Sequence, residues 1–226
     1  MLVCSGATAD DITNKLFSSR LGSCAEYVQQ NATCIVISNA VPNHNFNASG
    51  HFATPFSTQN QQYKIPATPQ LAAKPTPLSL QYDNAIFLNG IKLDLMAAGC
   101  YGVADSRIGC HNINSSYRYD PMAKTANFGT DEHNAHTQPD GTYHYHGNPM
   151  ALFEQKKPKQ ASPVIGFAAD GFPIFGSYIN DYGTIRKARS SYQLKTGKRP
   201  GGPGWRLRLC NHRHLSSCNG LFFRHA

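Results

Sequence analysis

The apolar runs of this sequence are short, rich in β-branched and aromatic residues, and closed by turn residues. Cys34-Ile-Val-Ile-Ser38 ends at Asn39, and Ile86-Phe-Leu-Asn-Gly90-Ile-Lys-Leu-Asp94 turns on an Asn-Gly pair. Pro163-Val-Ile-Gly-Phe-Ala-Ala-Asp-Gly-Phe-Pro-Ile-Phe-Gly176 is split at Asp170-Gly171 into two halves of the same kind. Such runs read as strands, and Asn-Gly or Asp-Gly between them supplies the backbone freedom that a tight hairpin demands. With 19 Gly and 14 Pro in 226 residues, long helices are disfavoured and loops are frequent. The expected fold is mainly β, a compact single domain of short strands with long, proline- and glycine-rich loops.

Three segments follow from composition. Residues 1–30 are polar and read as an export-signal remnant and extension, with a short helix expected from Asp10 or Asp11, which can cap it, to about Phe17. Residues 31–200 carry the domain. Within them the proline-spaced stretch from Pro55 to Pro77 should be extended and exposed, either wrapping the core or linking a small N-terminal piece to the rest. Residues 201–226 form a basic tail.

The formal charge of +8 invites a polyanion partner, but its distribution does not. All 13 acidic residues lie at or before Asp181, where they face 11 basic ones, while the 10 basic residues from Arg186 onward meet no acidic residue. Basicity therefore belongs to the tail, which lacks the interleaved aromatics of a single-strand binder, and nucleic acid is set aside as a partner. No apolar run approaches the roughly 18 residues of a membrane span.

Six of the 7 cysteines form close pairs, Cys24/Cys34, Cys100/Cys110 and Cys210/Cys218, none with CxxC spacing. Short disulfide loops are the expected reading, and they place the protein in an oxidising compartment, periplasmic or secreted. The seventh, Cys4, follows Met1-Leu2-Val3 as if at the end of an export signal and is a candidate for lipid attachment.

Four of the 10 histidines, His133, His136, His144 and His146, fall within 14 residues. If Thr142 to His146 is extended, His144 and His146 project to one face and Tyr143 and Tyr145 to the other, because side chains alternate along a strand. His133 and His136, spaced for a turn or one helical turn, can be folded back over them by Pro139-Asp-Gly141. Buried, hydrogen-bonded histidines are common without a metal, and one histidine would be read that way. Four, with Asp131, Glu132 and Asp140 beside them, point to a divalent metal held by His133, His136, His144 and His146, the carboxylates serving as ligands or as orienting partners. Imidazole favours zinc or copper; calcium would draw on the three carboxylates and nearby carbonyls. His44 and His111 are weaker, remote candidates. His212 and His214 repeat the spacing among Arg206, Arg208 and Arg213, whose charge opposes a cation, and His225 lies next to the last residue.

Gly141-Thr-Tyr-His-Tyr-His-Gly-Asn-Pro149 resembles the signature of the YHYH-domain family of bacterial, largely exported proteins. The Pro163–Gly176 segment, the Asn89-Gly90 stretch and the Pro42-Asn-His44 loop are similar to that family too, so the resemblance runs from about Cys34 to Gly197. It implies export and a metal-linked role rather than a named reaction. After Lys195-Thr-Gly-Lys-Arg-Pro200 the chain departs from the family pattern: Cys218-Asn-Gly220 remains in arginine-rich surroundings, as in a divergent, truncated or frame-altered end.

The function expected is an extracytoplasmic metal-binding protein. The alternative is a metal-dependent hydrolase in which a metal-activated water attacks a small-molecule ester or lactone. There His136 would be a fourth ligand or proton carrier, and Asp140 or Asp170 would orient water or a ligand ring. No nucleophile elbow, zinc-protease helix or phosphate loop competes with these readings.

Overall fold

The computed structural model describes residues 15–18, residues 23–187 apart from 47–51, 71, 75–79, 96, 102–117, 124–128 and 154–157, and residues 207–208. Among them all regular structure is strand. The first sheet is an antiparallel meander of β1 (Lys15–Ser18), β2 (Cys24–Gln30), β3 (Thr33–Ser38) and β4 (Gln61–Pro66). The second contains β5 (Ala85–Phe87), β6 (Lys92–Leu93), β7 (Ala135–Thr137), β8 (Tyr143–Tyr145), β9 (Val164–Ala168), β10 (Pro173–Phe175) and β13 (Leu207–Arg208). Its order is β13-β10-β9-β5-β6-β8-β7, with parallel pairing only between β6 and β8 and between β10 and β13. β11 (Tyr178–Asp181) and β12 (Thr184–Lys187) form a separate ribbon.

The mainly β expectation holds, as do the hairpin over Ile86–Asp94 and the two strands across Asp170-Gly171. Two local expectations are overturned. Lys15–Phe17, expected at the end of a helix, are in β1, where they pair with Ala25–Tyr27. A Leu-Phe pair suits either element, and the neighbouring strand decides. The Cys24/Cys34 disulfide does not form: Cys24 is a free thiol, whereas Cys34 and Cys100 are disulfide-bonded. The chain reverses at Asn31-Ala32, so Cys34 lies opposite Gln29 in the ladder, five residues from Cys24. At about 3.4 Å per residue that is roughly 17 Å, far beyond disulfide reach. The expected Cys100/Cys110 and Cys210/Cys218 pairs include residues outside those described.

Part of the proline-spaced stretch is not a free linker. Gln61–Pro66 completes the first sheet as β4, with Ile65 and Ala67 buried.

Alternation along β5 divides the core. Ile86 and its register partner Phe167 face the first sheet, where Ala25, Tyr27, Cys34, Val36 and Ile65 pack on them. Ala85 and Phe87 face the other way, into a larger cluster with Leu93, Tyr143, Tyr145, Ile165 and Ile174. The second sheet is thus covered on both faces. Lys92 is the partner of Ile86 and shares its face, as does His144 one strand further on, because Leu93 pairs with Tyr145.

Two contacts fix one sheet on the other. The Tyr27 hydroxyl donates to the Phe87 carbonyl at 2.5 Å, and the Ser38 hydroxyl donates to the Gly90 carbonyl at 2.7 Å. Gly90 sits at φ +78°, and a Cβ there would lie 2.3 Å from Ser38 Oγ and 2.8 Å from Ala25 Cβ. Gly90→Ala should therefore lower the unfolding free energy by more than about 1 kcal/mol, combining left-handed strain with a clash against buried atoms. Urea titration measures it; an unchanged midpoint would show that this contact does not set the sheet packing.

Candidate metal centre

The site is built on the β7–β8 hairpin. Gln138 N–H donates to Thr142 O and Gly141 N–H to Gln138 O, and Gly141 at φ +86° closes the turn. His136 is thereby paired with His144. His146, just past β8, is held by its backbone N–H to Asn134 O at 2.9 Å. Tyr143 and Tyr145 project to the opposite face and are fully buried in the larger core cluster. The alternation expected of Thr142–His146 is therefore present.

His136, His144 and His146 are all buried and form a cluster able to coordinate a metal ion, each offering one ligand atom, all within 4.8 Å of one another. Nε2 of His146 lies 3.0 Å from Nε2 of His136 and 2.9 Å from Nε2 of His144. The His146 ring stands at 76° to that of His136 and 75° to that of His144, so the nitrogens converge instead of the rings stacking. Nδ1 of His144 meets Thr142 O at 3.2 Å, and Nδ1 of His146 meets Leu95 O at 2.5 Å. A carbonyl only accepts, so both Nδ1 atoms carry the proton, and both Nε2 atoms of the neutral rings are bare. Two lone pairs then face each other at 2.9 Å. A shared cation resolves that repulsion. Metal–nitrogen bonds of about 2.0–2.1 Å put neighbouring nitrogens about 2.9 Å apart at a right angle and about 3.3 Å at the tetrahedral angle, so the two spacings from His146 suit a bound ion.

Beyond the rings lies a charged group contributed by the β5–β6 hairpin. Asp94 Oδ2 is 3.8 Å from His144 Nε2 and 3.1 Å from Lys92 Nζ, which also bonds Asp83 Oδ1 at 2.8 Å. Burial works against the Lys92 ammonium, but the two carboxylates outweigh it and raise its pKa. Burial, with Asp94 adding to it, raises the Asp83 carboxyl against the pull of Lys92. Asp94 was not among the sequence candidates. Its signal is the alternation Ile91-Lys92-Leu93-Asp94, two charged residues on one face of an otherwise buried strand.

The remaining candidates lie elsewhere. His133 is not part of the converging group: its Nε2 is 3.2 Å from Asn45 Oδ1 and its ring lies 4.1 Å, centre to centre, from that of His44. His44 in turn takes the Tyr145 hydroxyl on Nε2 at 2.6 Å, on the tyrosine side of β8. Asp131 accepts the Tyr143 hydroxyl at 2.7 Å and the backbone N–H groups of His133 and Ala135. Glu132 accepts from the Asn45 amide. Asp140 caps its own turn through Thr142 N–H and the Gln138 amide, which hold its carboxyl below the ordinary range despite the opposing effect of partial burial. Asp170 sits in the turn between β9 and β10, 3.5 Å from Phe172 N. His111, His212, His214 and His225 lie outside the described residues.

Burial first, then the neighbouring positive groups, push the His144 and His146 rings well below the usual histidine range. Below about pH 6.5 the unfolded chain takes up protons that the folded metal-free protein refuses. Stability should be level above that pH and fall as pH drops, by up to about 1.4 kcal/mol per pH unit for each such ring. Urea unfolding of the metal-free protein across this range tests it, and a flat profile would contradict buried neutral rings.

No helix of the described residues is long and apolar enough to cross a membrane. No curated protein and no solved structure matches the chain. The family described as YHYH protein matches residues 62–220, a span that holds β5 to β13, all of β4 but Gln61, and all three converging histidines. The chain belongs to the YHYH protein family.

Proposed function

We propose that this is an extracytoplasmic metal-binding protein that holds a divalent ion, zinc or copper, on His136, His144 and His146. The observation that carries the reading is the convergence of three buried imidazole nitrogens, two of them left bare by Nδ1–H bonds to backbone carbonyls. An all-imidazole donor set supports zinc or copper. Calcium needs several oxygen ligands, and the carboxylates once available for it, Asp131, Glu132 and Asp140, are engaged away from the three nitrogens. The disulfide-bonded Cys34 and Cys100 support a periplasmic or secreted location.

A second reading, hydrolysis of an ester or lactone through a metal-activated water, draws on one feature. Three nitrogens leave a coordination position open, and a carboxylate, Asp94, stands beside it. In that reading Asp94 replaces Asp140 and Asp170 as the group able to orient water, while His136 is a ligand and not a proton carrier.

Protein purified without added metal should carry or take up one equivalent of zinc or copper, measured by elemental analysis. Saturation at a thousandfold excess over Kd should add about 4 kcal/mol to the unfolding free energy. His144→Ala and His146→Ala should lose this stabilisation, and His133→Ala should keep it. Absence of stoichiometric metal would refute the reading. Turnover of esters or lactones that disappears on chelation would favour hydrolysis; stoichiometric metal without turnover would favour binding alone.

A further inference from the structure

Resting on the three-histidine reading, we propose that Asp94 supplies the anionic donor of the metal centre and that Lys92 is its positioning residue, giving a site of three imidazoles and one carboxylate. Distance is the first support. In a tetrahedral site with bonds of about 2.0–2.1 Å, ligand atoms lie about 3.3 Å apart. Asp94 Oδ2 is 3.8 Å from His144 Nε2, half an ångström from that separation.

Charge is the second support. Lys92, with its side chain 11% exposed, bonds two carboxylates, Asp83 at 2.8 Å and Asp94 at 3.1 Å. One ammonium is thus shared between two carboxyl groups in a partly buried setting, where a second cation beside Asp94 would be favourable. A divalent ion seated on the rings would supply that positive charge at the Asp94 oxygen that faces His144.

Backbone geometry is the third. Asp94 N–H donates to Tyr145 O, and the next carbonyl, Leu95 O, takes the His146 Nδ1 proton. Two consecutive residues thus hold both the carboxylate and a ligand ring against β8. Lys92 grips the same Asp94 oxygen that faces His144, which keeps the carboxylate turned toward the rings. A carboxylate donor selects divalent zinc or copper(II) over soft copper(I).

The test compares wild type, Asp94→Asn and Asp83→Asn by zinc affinity, in competition with a chromophoric chelator, and by the visible spectrum of the cobalt(II)-loaded protein. Asp94→Asn should bind zinc about 10–100-fold more weakly and shift the cobalt bands. Asp83→Asn removes the other Lys92 contact and should stay within about twofold of wild type with its spectrum unchanged. An Asp94→Asn protein with wild-type affinity and bands would overturn the proposal, reducing Asp94 to an ion-pair partner. Wild-type protein that binds no zinc or cobalt would overturn the three-histidine reading, and this proposal with it. Should Asp94→Asn not fold, the metal-induced infrared difference spectrum of wild type carrying carbon-13 aspartate decides: a shifted carboxylate stretch supports the proposal and no shift overturns it.

Discussion

The site depends on the register of one three-residue strand. β8 places Tyr143 and Tyr145 in the core and His144 on the opposite face, and the pairing of His136 with His144 brings a second imidazole to that face. A slip of one residue would drive the imidazoles into the aromatic cluster and bring the tyrosines out of it. Several contacts oppose such a slip. The Tyr143 hydroxyl is tied to Asp131, the Tyr145 hydroxyl to His44 and Asn89, and the Asp94 N–H to Tyr145 O. The buried aromatic face therefore determines where the histidines point. Tyrosine suits that position because its ring fills the core while its hydroxyl reaches a polar partner.

The same alternation sorts the histidines. His44 and His133 lie on the tyrosine side, where His44 accepts the Tyr145 hydroxyl and donates from Nδ1 to Asn45 O. Both His44 nitrogens are then committed, and its ring is packed against that of His133. These rings attach the loop around Asn43–Phe46 to the sheet. His136, His144 and His146 are different in kind, since their Nε2 atoms converge. Proximity in sequence groups His133 with the converging histidines, and the face of the strand separates it from them.

Much of this was legible where one local rule suffices. The Asn89-Gly90, Asp170-Gly171 and Pro139-Asp-Gly141 turns need positive φ at their glycines, and those needs are met within a few residues of chain. The period-two reading of Tyr-His-Tyr-His is equally local. What was not legible depends on partners distant in sequence. Lys15–Phe17 become a strand because β2 is beside them, and Gln61–Pro66 because β3 is. Nine residues between Cys24 and Cys34 suggest a closed loop, yet a two-residue reversal at Asn31-Ala32, close to Cys34 and far from Cys24, leaves the two five residues apart along the ladder. Asp94 joins the histidines only because β6 runs parallel to β8, a crossover that no short motif announces.

Electrostatics then explains why such a site should be built from buried neutral rings with charge at its edge. Burial keeps His144 and His146 unprotonated, which is the state that ligates metal. It also shields their nitrogens from bulk solvent, which makes facing lone pairs costly in the metal-free centre. Lys92 adds to this by disfavouring protonation of both rings. A bare cation answers all of these costs together, where a proton answers only one nitrogen at a time. The arrangement is thus able to hold a metal ion, and it is the geometry of the nitrogens more than the number of histidines in the chain that makes it so.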